Sequence, residues 1–394
     1  MEQWKEYRLE EIGTVVGGAT PSTKDTTNYD GEIPWITPKD LSNHNDRYIY
    51  RGERMITQKG FERCSCKMLP KGSVLFSSRA PIGYVAIAGT DMCTNQGFKS
   101  VVPNNEIVDI HFLYYLLLFN KAKIEGMGSG TTFKEVSGNV MKSVTVSIPN
   151  LTEQKRIADF LSSLDDKIEL NRQINDNLEQ QAQALFKSWF VDFEPFGGVK
   201  PESWRYGKLK ELLQLRKESV KADNVNKLPY LPIDMIPMKS LSISNFAPTE
   251  EAQSSLQKFY TNDILIGAMR VYFHRVVISP CSGITRNTCF VLTPYKDYCL
   301  EYSLCVCNQN ETINYAQATS KGSTMPYAVW DGGLADMSTL IPDDVTLNSF
   351  SRIIAPIISI IRDSAFERMK LENLRDTLLP RLMSGELKIN EINC

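Results

Sequence analysis

The chain has 394 residues, of which 42% are hydrophobic and 23% are charged, and its formal net charge at pH 7 is −2. This length and composition are typical of two globular domains with connecting helices, and the near-neutral charge argues against a protein that coats nucleic acid without sequence preference. We expect a cytoplasmic protein. No run approaches the roughly 20 apolar residues of a membrane span, and the first residues lack a signal-peptide pattern.

The same landmarks occur twice along the chain, in the same order. Residues 4–9 are echoed by 204–209, 34–36 by 229–231, 73–76 by 263–266, and the glycine-rich loop 128–133 by 322–327. A repeat of about 195 residues is far longer than the unit of a solenoid, so it predicts a duplicated domain.

This repeat predicts an α+β fold with an internal pseudo-two-fold relation. Two similar globular domains with short β-strands are expected to be separated by two long antiparallel coiled-coil helices. The predicted segments are a first globular domain at 1–150, a first helix at 151–195, a second globular domain at 196–342 and a C-terminal helix at 343–394.

The first globular domain contains a strongly basic segment. Residues 47–79 include 8 Lys or Arg and 2 Glu, a local charge of +6. Such a cluster in a neutral protein is what a localised phosphate-tracking surface needs. An ordinary solvated face is the alternative interpretation.

Both helical segments carry apolar residues in alternating steps of three and four, which predicts a coiled-coil seam. Each seam is polar at its centre, at Asn171 and Asn175 in the first helix and at Ser364 and Glu367 in the second. We therefore expect antiparallel pairing of polar centre against polar centre. The alternative is that each helix only caps its own domain. The predicted seam residues are Ile157, Leu161, Leu164, Ile168, Leu178, Leu185, Ile353, Ile357, Ile360, Leu371, Leu374 and Leu378.

The first helix ends in a dense aromatic cluster, with five aromatic residues between positions 186 and 196. Such a cluster is either a local core or a docking surface for another protein. The sequence alone leaves both interpretations open.

Four helical motifs carry a resemblance to a known family. They are LTEQKRIA at 151–158, LDDKI at 164–168, LFKSWFVDFEP at 185–195 and LLPRLMSGEL at 378–387. Shorter ones are IPWI at 33–36, GSVLFSSRAPIG at 72–83 and the two glycine-rich loops. Over essentially its whole length the chain resembles the DNA specificity subunit of Type I restriction-modification enzymes.

The resemblance implies a noncatalytic subunit that binds double-stranded DNA. Each globular domain would be a target recognition domain for one half of a bipartite sequence, and the helices would set the spacer. The helices would also dock two methyltransferase subunits and the restriction subunits, which would use S-adenosylmethionine, ATP and Mg, while this chain needs no cofactor. The docking candidates are Phe186, Trp189, Phe190, Phe193, Leu382 and Met383.

The second domain departs from the family pattern at one point. Residues 267–273 stand where the first domain has 77–83, so the arginine and the glycine of that motif fall out of register. This shift argues against transferring the role of Arg79 to Arg270.

Residues that read DNA need side chains that reach base edges from loops, while Lys and Arg on phosphates supply orientation. A purely structural role is the alternative for each candidate. In the first domain the candidates are Lys24, Ser78, Arg79, Asn95, Gln96, Lys99, Thr132 and Lys134. In the second they are Arg270, Tyr272, His274, Arg275, Arg286, Asn287, Lys321, Thr324 and Tyr327.

The sequence contains no motif for catalysis or metal binding. Cys64 and Cys66, like Cys305 and Cys307, are spaced more tightly than most zinc ligands, so the nine cysteines are interpreted as free thiols. No phosphate-binding loop or nucleophile elbow occurs. The competing hypotheses are a coiled-coil scaffold that reads no DNA and an autonomous hydrolase.

Overall fold

A computed structural model describes residues 4–42, 44–130, 134–221, 225, 228–243, 245–253 and 255–391. The chain divides into two compact units. The first comprises Met1–Glu169 with Leu371–Cys394, and the second is Leu170–Lys370. Each unit therefore combines one globular part with portions of both long helices, which are α7 (Leu151–Phe190) and α10 (Asp344–Met383). The four-segment division drawn from the sequence stays a prediction.

Among its described residues, the first globular part contains ten strands and six short α-helices. The strands are β1 Lys5–Arg8, β2 Gly13–Gly17, β3 Tyr29–Ile36, β4 Tyr48–Ile49, β5 Met55–Ile56, β6 Val74–Ser78, β7 Ile82–Ala88, β8 Cys93–Thr94, β9 Lys99–Pro103 and β10 Thr145–Ile148. The helices are α1 Leu9–Ile12, α2 Pro38–Ser42, α3 Gln58–Glu62, α4 Ile110–Phe119, α5 Lys121–Gly126 and α6 Gly138–Ser143.

Strand β6 lies inside a five-stranded sheet of order β2-β9-β6-β7-β4. Its residues alternate between two hydrophobic cores: Val74 and Phe76 pack with α4 on one face, while Leu75 packs with Ile36 and Phe98 on the other. Because both faces are covered, the strand is apolar without alternation. A second sheet has the order β5-β3-β8, and β1 pairs with β10.

The described residues of the second globular part form ten strands and two α-helices. The strands are β11 Arg205–Lys208, β12 Leu213–Leu215, β13 Ser219–Val220, β14 Tyr230–Leu231, β15 Leu256–Phe259, β16 Ile264–Gly267, β17 Val276–Ile278, β18 Gly283–Arg286, β19 Cys289–Pro294 and β20 Ser338–Ile341. The helices are α8 Leu300–Cys307 and α9 Asn310–Ala318.

The pairing of these strands repeats that of the first unit. The sheet order β12-β19-β16-β17 matches β2-β9-β6-β7, and β11 pairs with β20 as β1 pairs with β10. In the second sheets, Trp35 pairs in parallel with Cys93, and Tyr230 pairs in parallel with Ile284. The repeat therefore holds for these strand pairs, while the second sheet has three strands in the first unit and four, in the order β13-β15-β18-β14, in the second.

The long helices run antiparallel within each unit. In the second unit Asn171 Nδ2 donates to Glu367 Oε2 at 2.8 Å, Asn175 Nδ2 donates to the Ile361 carbonyl at 3.1 Å, and Ser364 Oγ donates to Asn175 Oδ1 at 3.0 Å. Within this unit, polar centre therefore meets polar centre, as predicted. Buried asparagines of this kind fix helix register at some cost in stability.

The predicted seam of α10 needs a correction. Ile353, Ile360 and Leu374 are 44%, 49% and 45% exposed, and Ile357 and Leu371 are half-buried. The residues that bury this face lie one position later and include Ile354, Ile358 and Ile361. The physical reason is that the isoleucines of α10 occur in adjacent pairs, at 353–354, 357–358 and 360–361. Either member of each pair fits the heptad pattern, so the pattern does not tell which one is buried.

The predicted seam of α7 is buried at two of its six positions. Ile157 and Leu161 are buried in the core of the first unit, where Leu378 of α10 also packs. The remaining predicted seam positions of α7 are half-buried, namely Leu164, Ile168, Leu178 and Leu185.

In the described part of the chain, α10 alone is long and apolar enough to cross a membrane, judged by length and composition only. The sequence predicts no such segment. Its side chains Phe350, Ile354 and Ile358 are buried in the core of the second unit. Core packing thus accounts for part of its apolar composition. The cytoplasmic location stays a prediction.

Candidate nucleic-acid interface

Three chain segments meet at the end of β6 in the first unit. The Ser78 amide donates to the Gly97 carbonyl at 2.7 Å, and the Val136 amide donates to the Ser78 carbonyl at 3.0 Å. The glycine-rich loop closes on itself, because Ser129 and Glu135 exchange two backbone hydrogen bonds of 3.1 and 2.9 Å. The end of the strand, the turn before β9 and this loop therefore form one surface.

A chain of polar contacts runs across this surface. Thr20 Oγ1 donates to Gln96 Oε1, and Lys99 Nζ lies 3.5 Å from the Gln96 carbonyl. Lys99 Nζ also lies 3.5 Å from Glu135 Oε1, and Arg79 Nη1 lies 3.4 Å from Glu135 Oε2. We call these five residues the first polar cluster. Four stretches of the chain thus contribute side chains to one place, and three of the five residues, Arg79, Gln96 and Lys99, are predicted DNA contacts.

The other candidates of the first domain differ in accessibility. Lys24 and Lys134 are exposed, and among the described residues neither side chain has a hydrogen bond or an ion pair. The prediction that Ser78 contacts DNA is corrected. Its side chain is buried, and its hydroxyl accepts a hydrogen bond from Lys99 Nζ at 3.4 Å, so it is not free for a base. Asn95 shapes the turn, since its Oδ1 accepts from the Gly97 amide at 2.8 Å. Thr132 lies outside the described residues.

The basic segment 47–79 is less available to phosphates than its charge suggests. Arg47 is buried and pairs with Asp166 at 2.5 Å. Lys59 and Arg63 both pair with Asp25, at 3.2 and 3.3 Å. The cations that remain exposed without an ion pair, considering the described residues, include Arg51, Lys67 and Lys71.

The second unit repeats the three-segment junction with the same backbone hydrogen bonds. The Ala268 amide donates to the Thr288 carbonyl, and the Ala328 amide donates to the Ala268 carbonyl, both at 2.8 Å. The second glycine-rich loop closes between Lys321 and Tyr327, which exchange two bonds of 2.9 Å. Ala268 therefore occupies the place of Ser78 in the repeat.

This match also settles the register of the two arginines. One residue beyond the junction, Met269 takes the place of Arg79, and Arg270 takes the place of Ala80. Ala80 and Arg270 share an unusual left-handed backbone, with φ of 53° and 50°. The departure from the family pattern that the sequence shows is therefore a shift of one residue. Arg270 cannot take over the contact that Arg79 makes.

Most second-domain candidates are exposed around this junction. The exposed ones are Arg270, Tyr272, Arg286, Asn287, Lys321, Thr324 and Tyr327. Two others need correction as DNA contacts. His274 is 7% exposed and its Nε2 lies 2.9 Å from Asn308 Oδ1, while Arg275 binds the carbonyls of Ile233 and Ile236. These side chains are already held by the fold.

The candidate docking residues belong largely to the hydrophobic cores. Phe186 and Phe190 are buried in the second unit, and Trp189 and Phe193 pack partly buried against the same core. Leu382 and Met383 are buried in the first unit. The aromatic cluster is therefore local core, and the prediction that Phe186, Phe190, Leu382 and Met383 form a docking surface is corrected. A dense aromatic cluster is compatible with a local core and with a docking surface, and the burial of its side chains distinguishes the two.

The cysteines carry no sign of metal binding. The eight described cysteines are free, and among the described residues no three His, Cys, Asp or Glu side chains form a group that could hold a metal. Burial raises the pKa of the Cys289 and Cys299 thiols to about 11 and that of Cys305 to about 12. These thiols are consequently protonated and weakly reactive at neutral pH.

Comparison with known proteins decides the family. A family model described as the Type I restriction modification DNA specificity domain matches residues 1–180. The specificity subunit of the Type I restriction enzyme MjaIX from Methanocaldococcus jannaschii is 32% identical over 424 residues, covering 99% of this chain and 95% of that protein. The chain belongs to the family of Type I restriction enzyme specificity subunits.

Other relatives agree with this membership of the specificity-subunit family. The HindI specificity subunit of Haemophilus influenzae is 25% identical, covering 98% of this chain and all of that protein. A crystal structure of the Type I restriction-modification S subunit from M. genitalium superimposes with a TM-score of 0.63, at 15% identity and over 96% of each chain. At that identity the superposition shows the fold alone, and it confirms the predicted fold class.

Proposed function

We propose that this specificity subunit reads a bipartite DNA target, one half with each globular part. The observation that carries the proposal is the repeated junction: the same three segments meet in both units through equivalent backbone hydrogen bonds. The side chains that these segments present differ between the units. The first unit presents Arg79, Lys99 and Glu135, and the second unit presents Arg270 and Tyr327. Two similar frames with different side chains suit two half-sites of different sequence.

We propose further that α7 and α10 set the length of the spacer between the half-sites. Each helix has 40 residues, which corresponds to about 60 Å. Half-sites read from one face of a duplex lie about 34 Å apart. Helices of this length are therefore long enough to span that distance. The antiparallel pairing found within each unit supports a rigid spacer.

The chemistry is proposed to reside in partner subunits. Two methyltransferase subunits and the restriction subunits would dock on the helices and use S-adenosylmethionine, ATP and Mg, and this chain would itself be noncatalytic and without a cofactor. Since the aromatic cluster is core, the exposed apolar side chains of α10 are the better docking candidates. Within the second unit these include Val345, Ile353, Ile360 and Phe366.

Substitution Arg286→Ala tests the reading by the second unit. Arg286 is exposed and its side chain makes no hydrogen bond or ion pair with the described residues, so its loss should leave the fold intact. In cells that also carry the methyltransferase subunit, we expect about a tenfold loss of preference at one base pair of one half-site, because a bidentate arginine contributes about that discrimination. Sequencing of methylated adenines measures this.

The control is Arg205→Ala, which removes the same charge from an exposed pair with Glu211, away from the junction. It should leave the motif unchanged. Equal changes in both half-sites for Arg286→Ala would contradict reading by separate domains. A complete lack of a motif with the wild-type chain would favour the scaffold hypothesis.

A further inference from the structure

The first polar cluster contains one acidic side chain, and the second junction contains none. In the first domain the described residues of the meeting segments are 78–80, 94–99, 128–130 and 134–136, and Glu135 is their single acidic residue. In the second domain the corresponding segments 268–275, 285–288 and 321–327 have no Asp or Glu. Glu135 is replaced there by Tyr327, as the matching loop closures show.

The stability of the fold does not explain this carboxylate. The Glu135 and Arg79 side chains are 39% and 35% exposed, whereas the Lys99 side chain is 15% exposed. The two ion pairs of Glu135 are long, at 3.4 and 3.5 Å. Long pairs with a partly exposed carboxylate contribute little to stability. The small gain in stability from these ion pairs therefore does not explain why a negative charge lies on this surface.

A phosphate-tracking role does not explain it either. A carboxylate beside Arg79 and Lys99 repels phosphates and cancels part of the positive charge that backbone binding needs. A carboxylate does suit the base edges of the major groove, where it accepts from the amino group of cytosine. Arginine suits guanine, whose N7 and O6 accept two hydrogen bonds.

We propose that Glu135 and Arg79 together read one G·C base pair of the first half-site, with Arg79 on the guanine and Glu135 on the cytosine amino group. The two side chains are 3.4 Å apart, and the groups they would contact are neighbours on the edge of one base pair. Binding exchanges the intramolecular pair for two contacts with DNA. Glu135 is thus a specificity-determining residue, and the inference rests on the proposed function.

The test uses the full chain assembled with its methyltransferase subunit and a pool of DNA targets randomised one position at a time. The expected result for Glu135→Gln is about a tenfold loss of preference for cytosine at one position of one half-site, with a gain for adenine, which glutamine prefers. Glu135→Asp keeps the carboxylate and is expected to keep cytosine there. Glu125→Gln, an exposed carboxylate in α5, is the matched control and should leave every preference unchanged.

Several outcomes would overturn the inference. If Glu135 merely shields the two cations, Glu135→Gln would raise affinity for all sequences and steepen its salt dependence without altering any preference. Equal preferences for the Asp and Gln variants would also count against it. Independently of any variant, a wild-type first half-site that lacks a G·C pair would exclude it. If the wild-type complex methylates no bipartite motif, the proposed function itself fails, whereas a normal motif that Glu135→Gln leaves unchanged defeats only this inference.

Discussion

Substitution of Phe190 by alanine is expected to lower the free energy of unfolding of the second unit by about 3–5 kcal/mol. Phe190 is 6% exposed, and its ring centroid lies 4.7 Å from that of Tyr302, 4.8 Å from Phe350 and 5.5 Å from Trp204. Alanine would leave a cavity among large rings that cannot collapse to fill it. Urea unfolding followed by tryptophan fluorescence measures the loss.

The neighbouring residue supplies the control. Val191 is 54% exposed, so Val191→Ala should change the free energy of unfolding by no more than about 0.5 kcal/mol. Equal stabilities of the Phe190→Ala and wild-type chains would show that the cluster is not core. Docking of a partner would then again be the better interpretation of this aromatic segment.

The second large effect is a pH dependence that arises from Glu179. This α7 residue is 6% exposed, and its Oε1 accepts hydrogen bonds from Ser240 Oγ and the Leu241 amide, both at 2.9 Å. Burial raises the pKa of Glu179 from 4.5 to about 7 and outweighs the two hydrogen bonds, which act in the opposite direction. The folded chain therefore binds this proton more tightly than the unfolded chain.

The sign of the effect follows from this order of pKa values. The stabilising contribution of the protonated side chain is fully present below about pH 4.5 and is lost as the pH rises through about 7. Relative to Glu179→Gln, the wild-type chain should lose about 3 kcal/mol between pH 4.5 and pH 8. Urea unfolding of both chains across this range measures it. Parallel pH profiles would contradict the assignment, and Asp159→Asn, an exposed carboxylate of α7, should follow the wild type.

The sequence predicts the repeated frame well because local chemistry sets it. Trp35 and Tyr230 follow prolines at equivalent points, and the structure pairs both with the equivalent strand. Asn171 and Asn175 interrupt an apolar seam, and burial of an amide demands a polar partner. That demand predicts the meeting with Glu367 and Ser364.

The sequence fails where two residues fit one pattern equally well. Ile353 and Ile354 are adjacent and equally apolar, so periodicity cannot say which of them faces the core. His274 and Arg275 have the side chains of DNA-contacting residues, yet tertiary contacts hold both. Reasoning from the sequence overlooks Glu135, because cations and amides are the side chains expected to contact DNA and a carboxylate is neither. Its place as the single acid in the three converging segments was the available signal.

The most direct test of the account is to sequence methylated adenines in the host genome before and after deletion of the gene for this chain. With the methyltransferase gene intact, we predict a two-part motif that disappears on deletion and returns when the wild-type gene is restored. A methylation pattern that does not change on deletion would contradict the claim that this chain chooses the DNA sequence.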